Sequence, residues 1–395
     1  MMAARIFRTP ELDPVELRVL ELIDEVRDDL HHRVGEPRRW IGNLRRMAFA
    51  RAVQGSNSIE GYDASLDDVG AAVDGEPVLD ADVETQYALT GYRDAMTYVL
   101  QVAEDDSAAI DEGMVKALHF MMLKHDLGKS PGRWRPGDVH VRREATGEIV
   151  YTGPDADQVP ALISAMLRRL AEDKGPVLVR AAMAHLNLVM IHPFRDGNGR
   201  MARCLQTLVL ARERILVPVF SSVEEYLGRN TQAYYDVLGE VGQGAWHPDN
   251  DARPWIRFML TAHYRQAKTH LRRIQEIERL YASCAELASS NGLPERAAAG
   301  LSEAALGFRL RNATYRNLVE LSEGEEISEL TATRDLQAMV RANLLVPKGE
   351  TRGRHYVAGP EVVELHSAIR QGRPPRDDYD PFVVAQQSLQ LTFDT

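Results

Sequence analysis

One twelve-residue stretch constrains this chain more than any other: His192-Pro193-Phe194-Arg195-Asp196-Gly197-Asn198-Gly199-Arg200-Met201-Ala202-Arg203. Apolar residues at helical spacing run before it over 179–191 and after it over 201–210. This pattern predicts a tight turn between two buried helices. Gly197 and Gly199 free the backbone for a close ligand approach. The turn should present N–H groups at the start of the second helix, where they form an anion site.

The side chains around that turn are equally directed. Arg200 and Arg203 are three apart on the second helix and project to similar sides. Arginine is the side chain best matched to phosphate oxygens. Asp196 is a hard oxygen ligand suited to Mg²⁺ bridging phosphates. Asn198 can donate to a ligand or hold the loop. His192 accepts a proton near neutral pH without strong tuning. Base, metal ligand, anion loop and arginine pair are the parts needed to transfer a phosphate-linked group to a hydroxyl.

The 395 residues suffice for two or three domains, and 44% hydrophobic with 27% charged residues is ordinary for a globular chain. No apolar run approaches the roughly 18–20 residues of a membrane span, so no membrane partner is expected. Residues 1–8 lack a signal-peptide pattern. Cys204 and Cys284 are the sole cysteines, too sparse for a disulfide framework, and the expected compartment is the cytoplasm. A net charge of −11 opposes wholesale nucleic-acid coating and leaves a local DNA-binding module open.

Along the chain, an amphipathic helix is expected after Thr9-Pro10-Glu11 and stops at Gly35-Glu36-Pro37. A second runs over 38–53, followed by Ser56-Asn57-Ser58-Ile59-Glu60-Gly61, which locally reads as a helix end. Residues 62–80 look like an acidic, turn-rich connector. Helices fill 81–103 and 108–124. Residues 139–142 (Val139, His140, Val141, Arg142) and 148–152 (Glu148, Ile149, Val150, Tyr151, Thr152) alternate around Ala145-Thr146-Gly147, a hairpin signal with an edge free for another chain. A helix over 156–173 follows. Beyond the central turn come a helical stretch over 222–238, a Gly- and Asp-containing loop over 239–251 and a long helix over 252–289. The charge-rich part of that helix, 265–279, reads as a solvated face. Ser289-Ser290-Asn291-Gly292-Leu293-Pro294 marks a domain boundary. Helices over 313–321 and 330–340, then strands over 344–347 and 354–357, suggest a winged helix-turn-helix. From Gln371 the tail is expected to be loose, or packed only where 382–393 supplies apolar groups.

The stretch 192–203 matches the signature of the Fic family, His-x-Phe-x-Asp/Glu-Gly-Asn-Gly-Arg-x-x-Arg, at every defined position. The hairpin, entered through Gly132-x-x-Arg135 and left through Tyr151-x-Gly-Pro154, resembles the Fic flap. Ser56-x-x-x-Glu60-Gly61 resembles the family's inhibitory motif. The resemblance implies a mainly α fold, a Fic-type helical core with a small β-hairpin flap, plus a C-terminal winged helix domain. The implied division is 1–105 for the helical region carrying the inhibitory motif, 106–260 for the Fic core, 261–292 for a connecting helix, 293–360 for the winged helix and 361–395 for the tail.

The resemblance further implies transfer of AMP from ATP to a protein hydroxyl. His192 would be the general base, and Asp196 would hold Mg²⁺. Gly197, Asn198 and Gly199 would form the anion hole, and Arg200 and Arg203 would grip the distal phosphates. Phe194 would be a core anchor. The flap residues would dock the protein substrate by strand addition. Glu60 would pair with Arg203 and keep the enzyme switched off. Tyr234 and Tyr235 either face the nucleotide or pack in the core. Family members often pair, so a homodimer is among the expectations. A different class of reading is a nucleotide-sensing transcriptional regulator. For the wing module, DNA binding and protein packing both remain open, since residues 309–354 hold eight basic against seven acidic side chains.

Overall fold

A computed structural model describes residues 4–35, 38–143, 146–213, 218–350, 353–373 and 379–393. Glu36-Pro37 of the expected first helix stop, Ala145 of the hairpin turn, Arg352 of the wing and Pro374-Pro375 of the tail lie outside them.

The described residues are mostly helical. The first elements are α1 (Pro14–Gly35), α2 (Ile41–Ser58), α3 (Leu66–Val73), α4 (Val83–Val102) and α5 (Glu112–Leu123). The expected connector over 62–80 thus contains a helix, started by the Ser65 side chain accepting from Asp68 N and carrying Asp67 and Asp68 in its first turn. Its acidic residues favour a helix N-terminus as much as a loop.

The hairpin forms as an antiparallel pair, β1 (His140–Arg142) and β2 (Ile149–Thr152), with an irregularity between Val141 and Arg142. Next come α6 (Val159–Glu172), α7 (Val177–Ile191) and α8 (Asn198–Ala211), and the central turn joins α7 to α8. After the short α9 (Pro218–Ser221), the expected single stretch over 222–238 is two helices: α10 (Glu224–Arg229) and α11 (Thr231–Gly242).

The long helix, α12 (Arg253–Ser290), has 38 residues. Its charge-rich segment is not a solvated face. Arg273 and Glu276 are buried there, and Arg273 forms a two-pronged ion pair with the buried Glu225 of α10. The partner lies 48 residues away in sequence, so local composition could not reveal it.

Beyond α12 lie α13 (Ala297–Ala305), α14 (Asn312–Glu323), α15 (Glu329–Arg341), the antiparallel pair β3 (Leu345–Lys348) and β4 (His355–Ala358), α16 (Pro360–Gln371) and α17 (Pro381–Phe393). Ion pairs fasten this region to the N-terminal helices. The Arg309 guanidinium, 3% exposed, binds Asp67 and Asp68, Arg311 binds Glu76, and Arg46 binds the buried Glu303. The tail is helical where it is apolar: Ala385 is buried, Phe382 lies under Arg257, and Ser388 accepts from Arg18 of α1.

One close approach sets the position of α2. A Cβ on Gly55 would stand 2.4 Å from Glu224 O and 2.8 Å from Glu225 Cα, and one on Gly228 would stand 2.6 Å from Gly55 Cα. Helices α2 and α10 touch backbone to backbone there, which only glycine permits. The contact fixes the end of α2, and with it Ser56 and Glu60.

Candidate active site

The central turn owes its shape to its own side chains. Asn198 closes it by accepting from Phe194 N and donating to Phe194 O, both at 2.9 Å. Its side chain therefore holds the loop. Phe194 is fully buried, and its ring stacks on His119 at 3.6 Å. His119 accepts from Gly132 N through Nδ1 and donates from Nε2 to Asp196 O, each at 2.9 Å. Burial drives the His119 pKa down to about 4, so it is neutral at pH 7 and keeps that tautomer. It joins the turn to the entrance of the flap. No spacing in the sequence singled it out, because its partners are backbone groups 13 and 77 residues distant.

His192 ends α7 with φ 52° and ψ 58°, in the left-handed region that side chains other than glycine seldom adopt. Arg135 secures this conformation. Its backbone N–H donates to Pro193 O at 2.9 Å and its Nε to His192 O at 2.8 Å. Its other nitrogens donate to Gly137 O and Pro154 O. One buried arginine thus ties the histidine to both ends of the flap. The imidazole Nδ1 donates to Val189 O at 3.1 Å, which makes Nε2 the basic nitrogen. Burial lowers the His192 pKa, so the ring is neutral at pH 7.

Asp196 accepts from Gly197 N at 2.6 Å and pairs with Lys129 at 2.9 Å. Burial alone would raise its pKa; Lys129, Arg200 and the Gly197 N–H together lower it. Among the described residues no group of three His, Cys, Asp or Glu side chains forms a metal cage. Asp196 is the carboxylate that could hold Mg²⁺ with ligand oxygens completing the shell.

Arg200 and Arg203 are each 1% exposed. The Arg200 guanidinium lies 5.0 Å over the Tyr62 ring, a cation–π contact that the sequence reading did not include. Arg200 Nε and Nη1 and Arg203 Nη1 are buried N–H groups without a hydrogen-bond partner. Arg203 Nη2 donates to Glu60 Oε1 at 2.6 Å and to Ser56 O at 2.9 Å, and Nε donates to Ser56 Oγ at 2.8 Å. Burial opposes the Arg203 charge, but Glu60, with Tyr234 and Tyr92, more than offsets it and the pKa rises. Glu60 lies in the turn just beyond α2, and Gly61 continues that turn with φ 81°. A Cβ on Gly199 would stand 2.3 Å from Glu60 Oε1. The Glu60 carboxylate therefore sits against the first turn of α8, where an anionic ligand would bind.

The two tyrosines separate. Tyr234 is buried at 1%, with its hydroxyl 3.0 Å from His185 Nε2. It packs in the core wall beside Arg203, one of the two places expected for it. Tyr235 is 48% exposed and donates to Ile59 O at 3.0 Å, beside Glu60.

Of the flap residues, Tyr151 is buried and anchors β2 by donating to Met190 O at 2.7 Å. Thr152 N donates to Gly244 O, and Thr152 also bridges Ala245. Among the described residues β1 pairs with β2 alone. Val139, Val141 and Val150 are half-buried, and His140 and Ile149 are exposed.

Helices α7 and α8, the flap and the signature turn together define a Fic-type site. Residues 109–210 match the profile of the Fic/DOC family. It is 28% identical over 266 residues to the protein adenylyltransferase Fic of Nematostella vectensis, covering 65% of this chain and 57% of that protein. It is 24% identical over 268 residues to protein adenylyltransferase fic-1 of Caenorhabditis elegans, covering 66% and 51%. The chain thus spans little more than half the length of these relatives. A Fic family protein from Desulfovibrio desulfuricans superposes with a TM-score of 0.56 at 24% identity, covering 89% of this chain and 98% of that one. C. elegans Fic-1 superposes with a TM-score of 0.53 at 21% identity, covering 66% and 73%. These likenesses establish the mainly helical Fic fold. No helix among the described residues is long and apolar enough to cross a membrane.

Proposed function

We propose that this chain transfers AMP from ATP to a hydroxyl side chain of a protein, and that Glu60 restrains it. The observation that carries the reading is the set of buried, unpartnered N–H groups on Arg200 and Arg203 beside a basic His192 Nε2. Such donors suit a polyphosphate, and the N-terminus of α8 adds to them. In this reading His192 Nε2 takes the proton of the target hydroxyl. The freed oxygen attacks the α-phosphorus, the bond to the β-phosphate bridging oxygen breaks, and pyrophosphate leaves against Arg200 and Arg203. Asp196 would hold Mg²⁺, which would supply charge neutralisation to the polyphosphate. The β1 edge would align the target segment.

Glu60 has two effects in this account. It engages Arg203, and its carboxylate fills the first turn of α8 where the terminal phosphate would lie. ATP then binds in a pose that does not present its α-phosphorus.

For the C-terminal module we infer a packing role. Arg309 and Arg311, two of the eight basic residues counted in its favour, are spent on Asp67, Asp68 and Glu76. That leaves fewer basic side chains to form a positive face for DNA.

The test is intact-mass spectrometry of Glu60→Gly incubated with ATP and Mg²⁺, beside the same protein carrying His192→Ala. A gain of one AMP that requires His192 is expected. No gain with any nucleotide would refute the transfer and favour a nucleotide sensor.

A further inference from the structure

Outside the signature turn, a small, partly open cavity lies between α1, the segment 220–223 and α12. Its volume is about 10 Å³, room for one small sphere. Ile23 and Ala267 form apolar walls, and Arg27, Ser221, His263 and Gln266 supply the polar ones.

Arg27 is the unusual member. It is 4% exposed, and neither Nη1 nor Nη2 has a hydrogen-bond partner. The Asp24 carboxylate approaches only to 3.9 Å, on a side chain that is 63% exposed. Ser221 is 6% exposed and its Oγ is likewise without a partner. His263 brings no charge, because burial drives its pKa down to about 3. Its Nε2 faces Gln206 Nε2 at 3.5 Å and so accepts, which leaves the ring proton on Nδ1. Gln266 spends Nε2 on Glu225.

The cavity wall is thus rich in donors, and its one charge is a guanidinium. The Asp24 carboxylate meets that charge only at 3.9 Å from an exposed side chain, and the buried Nη1, Nη2 and Ser221 Oγ donors stay unmatched, which is costly. We propose that this cavity is a binding site for a monatomic monovalent anion of chloride size, held by Arg27 Nη1 and Nη2 and by Ser221 Oγ. The small space between the donors suits a monatomic ion better than phosphate or sulfate. The bound ion joins α1 and α12 to the segment leading into α10, the helix on which α2 is seated. The inference does not rest on the transfer reaction.

The test uses the full chain. Thermal unfolding is followed in sodium chloride and in sodium gluconate at matched ionic strength. The transition of the unaltered protein should rise by a few degrees with chloride and not with gluconate, because a ligand of the folded state stabilises by mass action. Arg27→Met should lose the chloride dependence, and Ser221→Ala should weaken it. Crystals soaked in sodium bromide should show an anomalous peak between Arg27 and Ser221. Should Arg27→Met fail to fold, Ser221→Ala and the bromide peak still decide. Equal transitions in the two salts, an unchanged chloride response in Arg27→Met or Ser221→Ala, or a water without anomalous signal at the site would each overturn the proposal.

Discussion

Gly55→Ala offers a way to loosen the Glu60–Arg203 contact without altering either residue. The new Cβ would meet Glu224 O at 2.4 Å and Glu225 Cα at 2.8 Å, and both are backbone atoms that no rotamer change can move. An ordinary contact needs about 3.4 Å or more, so α2 and α10 must part by roughly 1 Å. Overpacking of this kind costs about 1–3 kcal/mol. Ser56 is the next residue, and Glu60 follows one turn later. A displacement of about 1 Å would stretch the 2.6 Å bond from Arg203 to Glu60 past hydrogen-bond range. Gly55→Ala should therefore unfold several degrees lower and also label itself faster with ATP. Differential scanning fluorimetry and radiolabelled ATP measure the two effects. An unchanged melting temperature would refute the backbone contact. A lowered melting temperature with unchanged labelling would refute the idea that the seat of α2 sets the position of Glu60.

Further outcomes follow from the same geometry. In a Glu60→Gly background the labelling rate should be level above neutral pH and fall on the acid side with a midpoint below 6.5, since the neutral His192 is the base and burial lowers its pKa; a midpoint above 6.5 contradicts this. Stability itself should fall as pH drops from about 6.5 towards 4. His119 is depressed to about 4, and His185, His263 and His270 to about 3, so the unfolded chain binds protons in that window and the folded chain does not. Melting temperatures that hold steady over this range would count against those buried neutral rings. Arg135→Ala removes three side-chain donors from backbone carbonyls and should cost about 2–4 kcal/mol in chemical denaturation; it should also slow labelling more than it weakens ATP binding, and an unaltered labelling rate would deny the tie between the flap and His192. Lys129→Ala should tighten Mn²⁺ binding measured by electron paramagnetic resonance, because Lys129 competes for Asp196; weaker binding would show that Lys129 supports the site instead.

The sequence made the signature turn, its flanking helices and the flap hairpin legible because each rests on local rules: glycines at a turn, helical apolar spacing, strand alternation. What it concealed depends on distant partners. Arg273 reads as solvated among the mixed charges of α12, yet it is buried on Glu225. The acidic 62–80 segment reads as a connector because Asp67 and Asp68 look solvated, whereas they start α3 and bind Arg309. His119 and Tyr62 serve the site through a backbone carbonyl and an aromatic face, and neither leaves a spacing signal. Tyr234 and Tyr235 are neighbours with opposite fates, decided by which face of α11 meets the core.

The central claim is that Glu60 holds a competent site closed. Its most direct test compares single-turnover self-labelling by the unaltered protein and by Glu60→Gly at saturating radiolabelled ATP. A charge-assisted hydrogen bond to Arg203 is worth about 1.5–3 kcal/mol, so its removal should speed labelling by roughly 10-fold to 100-fold. Equal rates in the two proteins would contradict the claim.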